Sequence, residues 1–553
     1  MRSILLLLTA LLLLNTTSAY CSFNSPNKKG PTDDQEDWIG AGLARAWVLY
    51  NNKDYYGALR IYRDLYQKAP NHAKLNFRIG VCFEGLNEAD SAIYYLNRAV
   101  DRDTSITQNA YYYLGKAYKY NGNLDEAIEN FYKYKNKTTR ENSDVNRLLH
   151  QCETAKYMME NPVIAPIANM GTAINSEFVD ASPSVTADEK TLVFTSRRPD
   201  NIGGKLCEFN EQYFDDIYIS TWDDSAQKWG SAKNIGEPIN TPSFDANLSI
   251  SADGQYIFIY KNIEGVTGSG DIYVSKFDSD GKWSEPVPID DKYINSSYFE
   301  SSASITADGK TLYFVSERER GGMGFGDIWV SNKVAGVWQK PVNIGPVINT
   351  EYDEIGVYIH PDGKTLFFSS EGHNSMGMHD IFVSTLAEDG TWSKPVNLGY
   401  PINTTKDEIH FVLSASKNKA FISSNRKEGI GKLDIYEIDM SNYFNSYKEL
   451  PAVLAESFNT EQMAIVKGSV VDSDTGKPLE AQIKITNSKT DEKIIVDSNT
   501  SGNYFLTLSA DQKYEFTVVA KGYKSFSFKL KTPGLDTSGK ISTTTKHIIL
   551  NKQ

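Results

Sequence analysis

One short pattern recurs five times in the middle of the chain and constrains its fold more than any other feature. An Asp-Ile-aromatic triplet begins at positions 216, 271, 327, 380 and 434, so successive copies lie 55, 56, 53 and 54 residues apart. A turn and an apolar, strand-like run precede each of the first four triplets, and three of those turns contain Asp-Gly, which supplies the positive φ of a tight hairpin. About four strands per copy cannot bury both faces of a sheet alone. We therefore expect five small sheets that stack radially.

Tryptophans and a recurring outer strand extend this pattern. A Trp follows each of the first four triplets, and then a run such as Pro395-Val396-Asn397-Leu398-Gly399. These residues resemble the WD40-like, TolB-type (PD40) β-propeller repeat, and the resemblance covers about half of the chain. It implies an all-β, five-bladed propeller over residues 162–445.

The two ends of this region complement each other. The fifth copy lacks its outer strand, whereas the segment near residues 163–171 matches that strand without a blade before it. Pairing of this segment into the last blade would remove the open sheet edges. We predict that it closes the ring.

The first copy is longer than the others by about ten residues. The extra loop, Gly203 to Phe214, contains Cys207. Insertions in a repeat ring map to one rim, so the loop is a candidate contact site, although a neutral insertion explains it too.

The preceding region has a different, helical period. Ala58, Ala92 and Ala127 lie 34 and 35 residues apart, and a small residue stands twelve positions before each: Ala46, Gly80 and Gly115. Small residues at these places let paired helices approach closely. The pattern resembles the tetratricopeptide repeat (TPR) over residues 37–161 and implies an α-helical solenoid of three repeats with a capping helix near Ser143 to Met159. In such a solenoid a concave surface takes a peptide or helix of another protein. The candidate protein-binding residues are Tyr55, Tyr56, Tyr111, Tyr112 and Tyr113, although core packing explains some of them.

The last region, residues 465–553, follows a predicted linker at 446–464. It contains Asp472-Ser473-Asp474-Thr475-Gly476-Lys477-Pro478-Leu479 and later Gly502-Asn503-Tyr504. These turns resemble the carboxypeptidase regulatory-like domain, which implies a transthyretin-like β-sandwich. The resemblance implies an accessory module without peptidase residues.

The amino terminus has the charged, apolar, small-residue order of a secretory signal over residues 1–20. Ala19 suits ordinary cleavage, whereas Cys21 stands where a bacterial lipoprotein carries its lipid, so a soluble and a lipid-anchored product both stay open. Residues 21–36 are polar and predict a flexible tether. We find no second apolar run of spanning length and expect no transmembrane anchor.

Charge and motifs exclude several function classes. The formal net charge of −13 repels phosphate backbones, so nucleic acid is an unsuitable partner. The local signatures of serine hydrolases, zinc proteases and nucleotide hydrolases are missing. The triplet aspartates suit turn-holding better than an ion site, and His360, His373, His379 and His410 lack zinc-site spacing. We expect no catalytic residue, no metal and no cofactor.

The combination of regions resembles bacterial envelope proteins, including the OmpA-family lipoprotein associated with type IX secretion. An OmpA-like peptidoglycan-binding domain usually follows in those relatives, and none follows here, so peptidoglycan is not expected as a partner. We expect a non-catalytic scaffold of the periplasm or outer membrane that binds envelope proteins through its TPR and propeller surfaces. The alternatives are a carbohydrate-binding surface protein and, less favoured, a propeller hydrolase.

Overall fold

The computed structural model describes residues 33–103, 105–137, 143–207, 212–262, 270–278, 280–290, 292–446, 462–535 and 541–553. The predicted signal segment, Cys21 and most of the tether lie outside these residues. Seven helices precede the first strand of the described chain: α1 Asp33–Asn51, α2 Tyr55–Lys68, α3 Ala73–Gly85, α4 Ala89–Val100, α5 Thr107–Tyr120, α6 Leu124–Lys137 and α7 Ser143–Glu160. Because α1 begins at Asp33, the last four residues of the predicted tether are helical.

The helices pack as antiparallel pairs, and the small residues lie where the members of a pair meet. A Cβ at Gly80 would lie 2.7 Å from Leu96 Cγ, and one at Gly115 would lie 2.5 Å from the Phe131 ring. Both distances are too short for carbon atoms, so the close approach of α3 to α4 and of α5 to α6 requires glycine. The glycines at these repeat positions thus allow the two helices of a pair to lie close together.

The stack of helices has an inner side. The helix α3 contacts α5, and α5 contacts α7, although an intervening helix separates each of these pairs in the sequence. The first helices of successive pairs therefore lie along the inside of the stack, as in a curved solenoid.

Five antiparallel sheets follow. The first contains β2 Asp180–Val185, β3 Thr191–Ser196, β4 Asp216–Asp223, β5 Lys228–Trp229 and β6 Lys233–Asn234. The second contains β7 Asp245–Ile250, β8 Tyr256–Lys261, β9 Asp271–Lys276 and β10 Val287–Pro288. The third contains β11 Glu300–Ile305, β12 Thr311–Ser316, β13 Asp327–Val334, β14 Val337–Trp338 and β15 Val342–Asn343. The fourth contains β16 Glu354–Ile359, β17 Thr365–Ser370, β18 Asp380–Thr385 and β19 Val396–Asn397. The fifth contains β20 Glu408–Leu413, β21 Lys419–Ser424, β22 Asp434–Asp439 and, from the start of the region, β1 Ile167–Asn169.

The five sheets form a closed cycle, which we call the sheet ring. The first strand of each sheet contacts the first strand of the next, and β20 of the fifth sheet contacts β2 of the first. Apolar side chains fill the space between adjacent sheets; one such cluster joins Phe258 of the second sheet to Phe314 of the third. The pairing of β1 with β22, with Ile167 opposite Ile438, confirms the prediction that this early segment closes the last sheet.

The triplet aspartates hold the loops in front of them. Asp380 accepts hydrogen bonds from the backbone N–H groups of Met376 (2.7 Å) and Gly377 (3.0 Å) and from the Asn397 side chain (2.6 Å). Asp216, Asp327 and Asp434 also accept backbone N–H groups of the preceding loop. For these four copies the predicted turn-holding role is confirmed.

The carboxyl-terminal region consists of two sheets around one apolar core. One contains β23 Met463–Asp472, β26 Asn503–Ser509, β29 Ser542–Thr545 and β30 Ile548–Leu550, with β29 and β30 parallel to β23. The other contains β24 Gln482–Asn487, β25 Lys493–Asp497, β27 Lys513–Val519 and β28 Phe526–Lys531. A short helix, α8 Tyr443–Ser446, ends the ring region, and residues 447–461 of the predicted linker lie outside the described residues. None of the helices that the structure describes is long and apolar enough to span a bilayer.

Candidate functional site on the inner helices

Five large side chains line the inner side of the helical stack, and we call them the inner wall: Trp47 and Tyr50 of α1, Phe77 and Arg78 of α3, and Tyr113 of α5. For two of them the position follows from the repeat. Arg78 and Tyr113 each precede a small repeat residue, Gly80 or Gly115, by two positions, which is about 200° around a helix. Since the glycines face the paired helix, these side chains face away from it. All five are half-buried.

Contacts between aromatic side chains, and between Arg78 and an aromatic side chain, hold the inner wall together. The Arg78 guanidinium lies over the Trp47 ring, with Cζ 3.3 Å from the ring centroid. The Trp47 ring stacks on Tyr50 at 4.6 Å, and Phe77 packs edge-on against Tyr113 at 5.9 Å. Side chains from three repeats thus make one continuous surface.

Arg78 differs from the nearby Lys116 in its charge partners. Burial lowers the pKa of Arg78, although the surrounding tyrosines, including Tyr50 and Tyr113, oppose the shift. Among the described residues its guanidinium has aromatic contacts and no carboxylate partner. By contrast, the ammonium of Lys116 lies 2.6 Å from the Glu84 carboxylate. The wall therefore presents a half-buried positive charge that no carboxylate of the described residues neutralises.

The structure places the five predicted tyrosines in different environments. Tyr55 packs against Tyr50, and burial raises its pKa to about 12. The Tyr112 hydroxyl donates to Asp144 of α7 at 2.5 Å. Tyr111 lies beneath the ammonium groups of two α6 lysines at 5.1 and 5.5 Å. Tyr56, like the others, is half-buried. Tyr113 alone of the five belongs to the inner wall, and a binding role for the whole set stays a prediction.

The loop end of the sheet ring carries a cluster of ionisable groups, the histidine cluster: His379, Asp353, Glu371 and Asp407. His379 Nδ1 lies 2.8 Å from Asp407 Oδ1, while Nε2 lies 4.0 Å from Asp353 Oδ2 and 3.9 Å from Glu371 Oε1. Burial alone would lower the pKa of His379, but the hydrogen bond to Asp407 and the three negative charges raise it to about 9. Within the part of the chain described, no group of His, Cys, Asp or Glu side chains is arranged to hold a metal ion. The imidazolium is the counter-charge of these three carboxylates, which lie 2.8 to 4.0 Å from its nitrogens.

The helices cover this end of the ring. Lys119 of α5 is buried and donates to the Gly377 carbonyl at 2.7 Å, and Gln151 of α7 donates to Ser375 Oγ at 2.8 Å. The Arg147 guanidinium lies 4.6 Å from the ring centroid of Tyr352. Ser375 and Gly377 lie in the loop between the second and third strands of the fourth sheet, and Tyr352 lies in the loop that leads into its first strand.

The opposite face is covered as well. Ala187, Ala252 and Ala415, in the turns between first and second strands, pack with Met463 and Ile465 of β23. Thr507 donates to the Pro361 carbonyl at 2.7 Å. Where these contacts lie, the chain's own helices and sheets cover the two faces of the ring, and the prediction that envelope proteins bind the propeller surfaces stays untested.

Two small cavities lie near the centre of the ring. A cavity of about 30 Å³ lies among the first strands, with Ser184, Ser249 and Ser304 in its lining, and a second cavity there has about 40 Å³. Such volumes hold about one water molecule each. A larger cleft of about 540 Å³ lies between the end of α7 and the ring, lined by residues that include Tyr157 and Asn374.

The insertion of the first sheet is only partly described. Cys207 is buried, Leu206 forms a bridge with Tyr213, and residues 208–211 lie outside the described residues. Phe214 stacks on Phe244 of the neighbouring sheet at 4.0 Å. The base of the insertion is therefore packed onto the ring.

Comparison with known proteins supports the helical part. A family model for the tetratricopeptide repeat matches residues 109–137, which span α5 and α6. No curated protein matches the chain. The second TPR domain of human RPAP3, solved with an HSP70 peptide, is 17% identical, with 22% of this chain and 98% of that chain covered and a TM-score of 0.20.

Two other solved structures show likenesses of similar extent. The Yersinia enterocolitica type III secretion chaperone SycD, solved with a peptide of the translocator YopD, is 15% identical, with 23% of this chain and 99% of that chain covered and a TM-score of 0.21. The 3-chlorocatechol 1,2-dioxygenase of Rhodococcus opacus 1CP is 13% identical, with a TM-score of 0.14; 17% of this chain is covered, and the match spans 61% of the dioxygenase.

Sequence reasoning missed Trp47, Tyr50, Phe77 and Arg78. For Arg78 the repeat phase contained the signal, because positions two before a repeat glycine face away from the paired helix. The histidine cluster was also missed. Its signal is that Asp353 and Asp407 stand where the other three copies have Val179, Phe244 and Phe299.

Proposed function

We propose that this chain is an exported, non-catalytic scaffold of a bacterial envelope, and that its inner wall takes a segment of a partner protein. The observation that carries this proposal is the wall itself, with aromatic side chains and one guanidinium that pairs with no carboxylate of the described residues, on the inner helices of a TPR-type stack. Tryptophan, tyrosine and arginine are the residues most enriched among those that dominate protein-binding energy. A concave helical-repeat surface is suited to a peptide or a helix.

We further propose that the sheet ring is a five-bladed, TolB-like propeller and that the last two sheets are a transthyretin-like sandwich. The closed cycle of first strands and the recurring aspartate devices support the first identity. Two sheets around one core, linked by the Asp472 turn, support the second.

In this proposal the propeller is a structural platform that carries the helices and the sandwich. Because its two faces carry the helices and the sandwich, its rim is the surface left for additional partners. The protein-binding role therefore falls chiefly to the helices.

The envelope location is proposed from the signal-like amino terminus and from Cys21, which would carry a lipid anchor. A link to type IX secretion or to outer-membrane assembly is part of the proposal and rests on the resemblance of the three regions to such envelope proteins.

Crosslinking and affinity purification of the tagged protein from its own envelope tests this function. Defined envelope proteins should co-purify with the native form, and they should be lost from a Cys21→Ala form that leaves the membrane fraction. A native form that elutes alone and soluble would contradict the scaffold, and a carbohydrate ligand would then be the better hypothesis.

A further inference from the structure

We infer that the sheet ring binds a divalent cation of the calcium type in the cavity of about 40 Å³ near its centre, held by side-chain oxygens of Asn247, Glu317 and Asp353. Such a site goes beyond the proposed function and does not depend on it. Asn247 lies in β7, Glu317 directly follows β12 and Asp353 directly precedes β16, so three different sheets supply the ligands. No short sequence motif links them, which is why the sequence led us to expect no metal.

Asn247 supplies a buried amide oxygen to this cavity. The residue is 1% exposed and belongs to the lining. Its Nδ2 donates to the Ser182 carbonyl at 2.7 Å and to Ser184 Oγ at 2.9 Å, which fixes the orientation of the amide. Because Nδ2 points to the first sheet, Oδ1 is the amide atom left to face the cavity, and it has no hydrogen-bond partner among the described residues. A buried carbonyl oxygen is seldom left in this state, so it calls for a ligand.

Two carboxylates line the same cavity. Glu317 is half-buried, and no cation of the described residues forms an ion pair with it. Burial and the neighbouring charges of Asp353 and Glu300 raise the pKa of Glu317 to about 7. Asp353 is also half-buried; its Oδ1 accepts from the Gly326 N–H at 2.9 Å, and its Oδ2 lies 4.0 Å from His379 Nε2. Each carboxylate therefore keeps oxygen lone pairs for a further partner.

The lining of the cavity contains little positive charge. Among the described residues that line it, none is a lysine or an arginine. His410 lines it too, but burial and the charge of His379 lower the pKa of His410 to about 4, so its imidazole is uncharged at neutral pH. Lys53, in the turn between α1 and α2, lowers the pKa of Glu317 and yet makes no ion pair with it in the described part of the chain. A bound cation would supply the charge that the two carboxylates require.

The chemistry of the lining favours a cation over a water molecule. An amide oxygen and ionised carboxylate oxygens only accept hydrogen bonds. A water molecule donates one hydrogen bond per proton, so it cannot serve the amide and both carboxylates at once, whereas a cation attracts all of these oxygens. Two carboxylates alone would make a weak site, and the buried amide oxygen is the third ligand. Calcium takes carboxylate, amide and water oxygens in a flexible geometry, whereas magnesium requires a near-ideal octahedron, so calcium suits this lining better.

Calcium binding is tested on the full chain after treatment with a chelator and removal of the chelator. Isothermal titration calorimetry with calcium chloride measures the number of sites and the affinity, in about 0.15 M KCl to screen the long-range attraction of an acidic chain. The variants are Glu317→Gln and Asp353→Asn, each of which removes the charge of one ligand and keeps the shape of the side chain. The matched control is Glu319→Gln, which makes the same change at an exposed position two residues from Glu317. Far-UV circular dichroism shows which variants are folded, and either ligand variant suffices.

We expect one calcium ion to bind the native protein and to raise its melting temperature, since a ligand held only by the folded chain stabilises it. The folded ligand variants should bind calcium at least about tenfold more weakly, because the charge of the ligands sets calcium affinity. Glu319→Gln should bind calcium as the native protein does. No saturable calcium binding by the native protein, unchanged binding in a folded ligand variant, an equal loss in Glu319→Gln, or equal affinity for magnesium would overturn the inference.

Discussion

Glycine at the helix crossings is required by distance. Ala at position 115 would bring its Cβ to 2.5 Å from the Phe131 ring, which is fully buried and cannot move aside. We predict that Gly115→Ala lowers the free energy of unfolding by about 1–3 kcal/mol, the range for overpacking a core. Urea unfolding followed by circular dichroism measures this change.

Gly40 provides the matched control. It lies inside α1, and nothing approaches within 4 Å of the place its Cβ would take. Gly40→Ala should therefore raise the free energy of unfolding by about 0.5–1 kcal/mol, since alanine loses less backbone entropy in a helix. Loss of stability in both variants would contradict the assignment of Gly115 as a close-contact position.

His379 makes stability depend on pH. Its pKa is about 9 in the folded chain and about 6.5 when unfolded. A raised pKa contributes stability that is complete below about pH 6.5 and is lost as the pH rises through about 9. We predict that the difference in the free energy of unfolding between native protein and His379→Gln shrinks by up to about 3 kcal/mol from pH 6 to pH 9.5.

The other charges at the histidine cluster do not change this comparison. Asp353, Glu371 and Asp407 face His379 from the ring, and Lys119 and Arg147 approach from the helices. Burial lowers the pKa of Lys119 to about 8, so it titrates in the same interval with the opposite sign, but both proteins contain it.

His373→Gln is the control for the pH experiment, because burial lowers the pKa of His373. Its effect on the free energy of unfolding should be constant above about pH 6.5. A His379→Gln difference that is equally flat would show that His379 is not the counter-charge of the three carboxylates.

Among the strands, the turn that follows each outer strand contains an asparagine whose side chain bonds the backbone N–H and C=O of one isoleucine in a third strand. In the last sheet this asparagine comes from the other end of the region: Asn175 Oδ1 accepts from Ile435 N and its Nδ2 donates to Ile435 O, both at 2.8 Å. We predict that Asn175→Ala lowers the free energy of unfolding by about 2–4 kcal/mol, because two buried backbone groups lose their partner. It should also speed hydrogen exchange in β1 and β22.

Asn403 makes the same pair of bonds to Ile381, at 2.8 and 2.9 Å, between residues 22 apart in sequence. Asn403→Ala should destabilise the chain by a similar amount without faster exchange in β1. Faster exchange of β1 in both variants would argue against a special role of Asn175 in closing the ring.

The sequence predicted those helices, strands and turns that short-range sequence patterns determine. Asp-Gly turns place Gly254, Gly309 and Gly363 at positive φ, as expected, and the repeat spacing located the helix pairs. The packing of helices on the ring could not be predicted, because Lys119 and Gly377 are 258 residues apart and no periodic pattern links them. Most of the inner wall could not be predicted from the repeat, because only Arg78 and Tyr113 stand two positions before a repeat glycine.

At the scale of the whole molecule, the helices and the ring behave as one body in this account. Lys119 is buried between them, and its surroundings include the carboxylates of Asp380 and Glu371. We predict that Lys119→Glu, which buries a negative charge there, separates the helical and β unfolding transitions in calorimetry. The native protein should show them as one.

Arg63→Glu makes the same change of charge at an exposed position of α2 and should leave the single transition intact. Two separate transitions already present in the native protein would contradict the coupling of helices and ring.

Site-specific photocrosslinking tests whether partners bind on the inner wall. A photoreactive amino acid replaces Lys74, exposed one turn from Arg78, or Tyr94, which is 53% exposed on the outer helix α4. In cells that make the protein, we predict a discrete partner adduct from position 74 that weakens when Arg78→Met is added, and none from position 94. Adducts of equal yield from both positions, or from position 94 alone, would contradict the account.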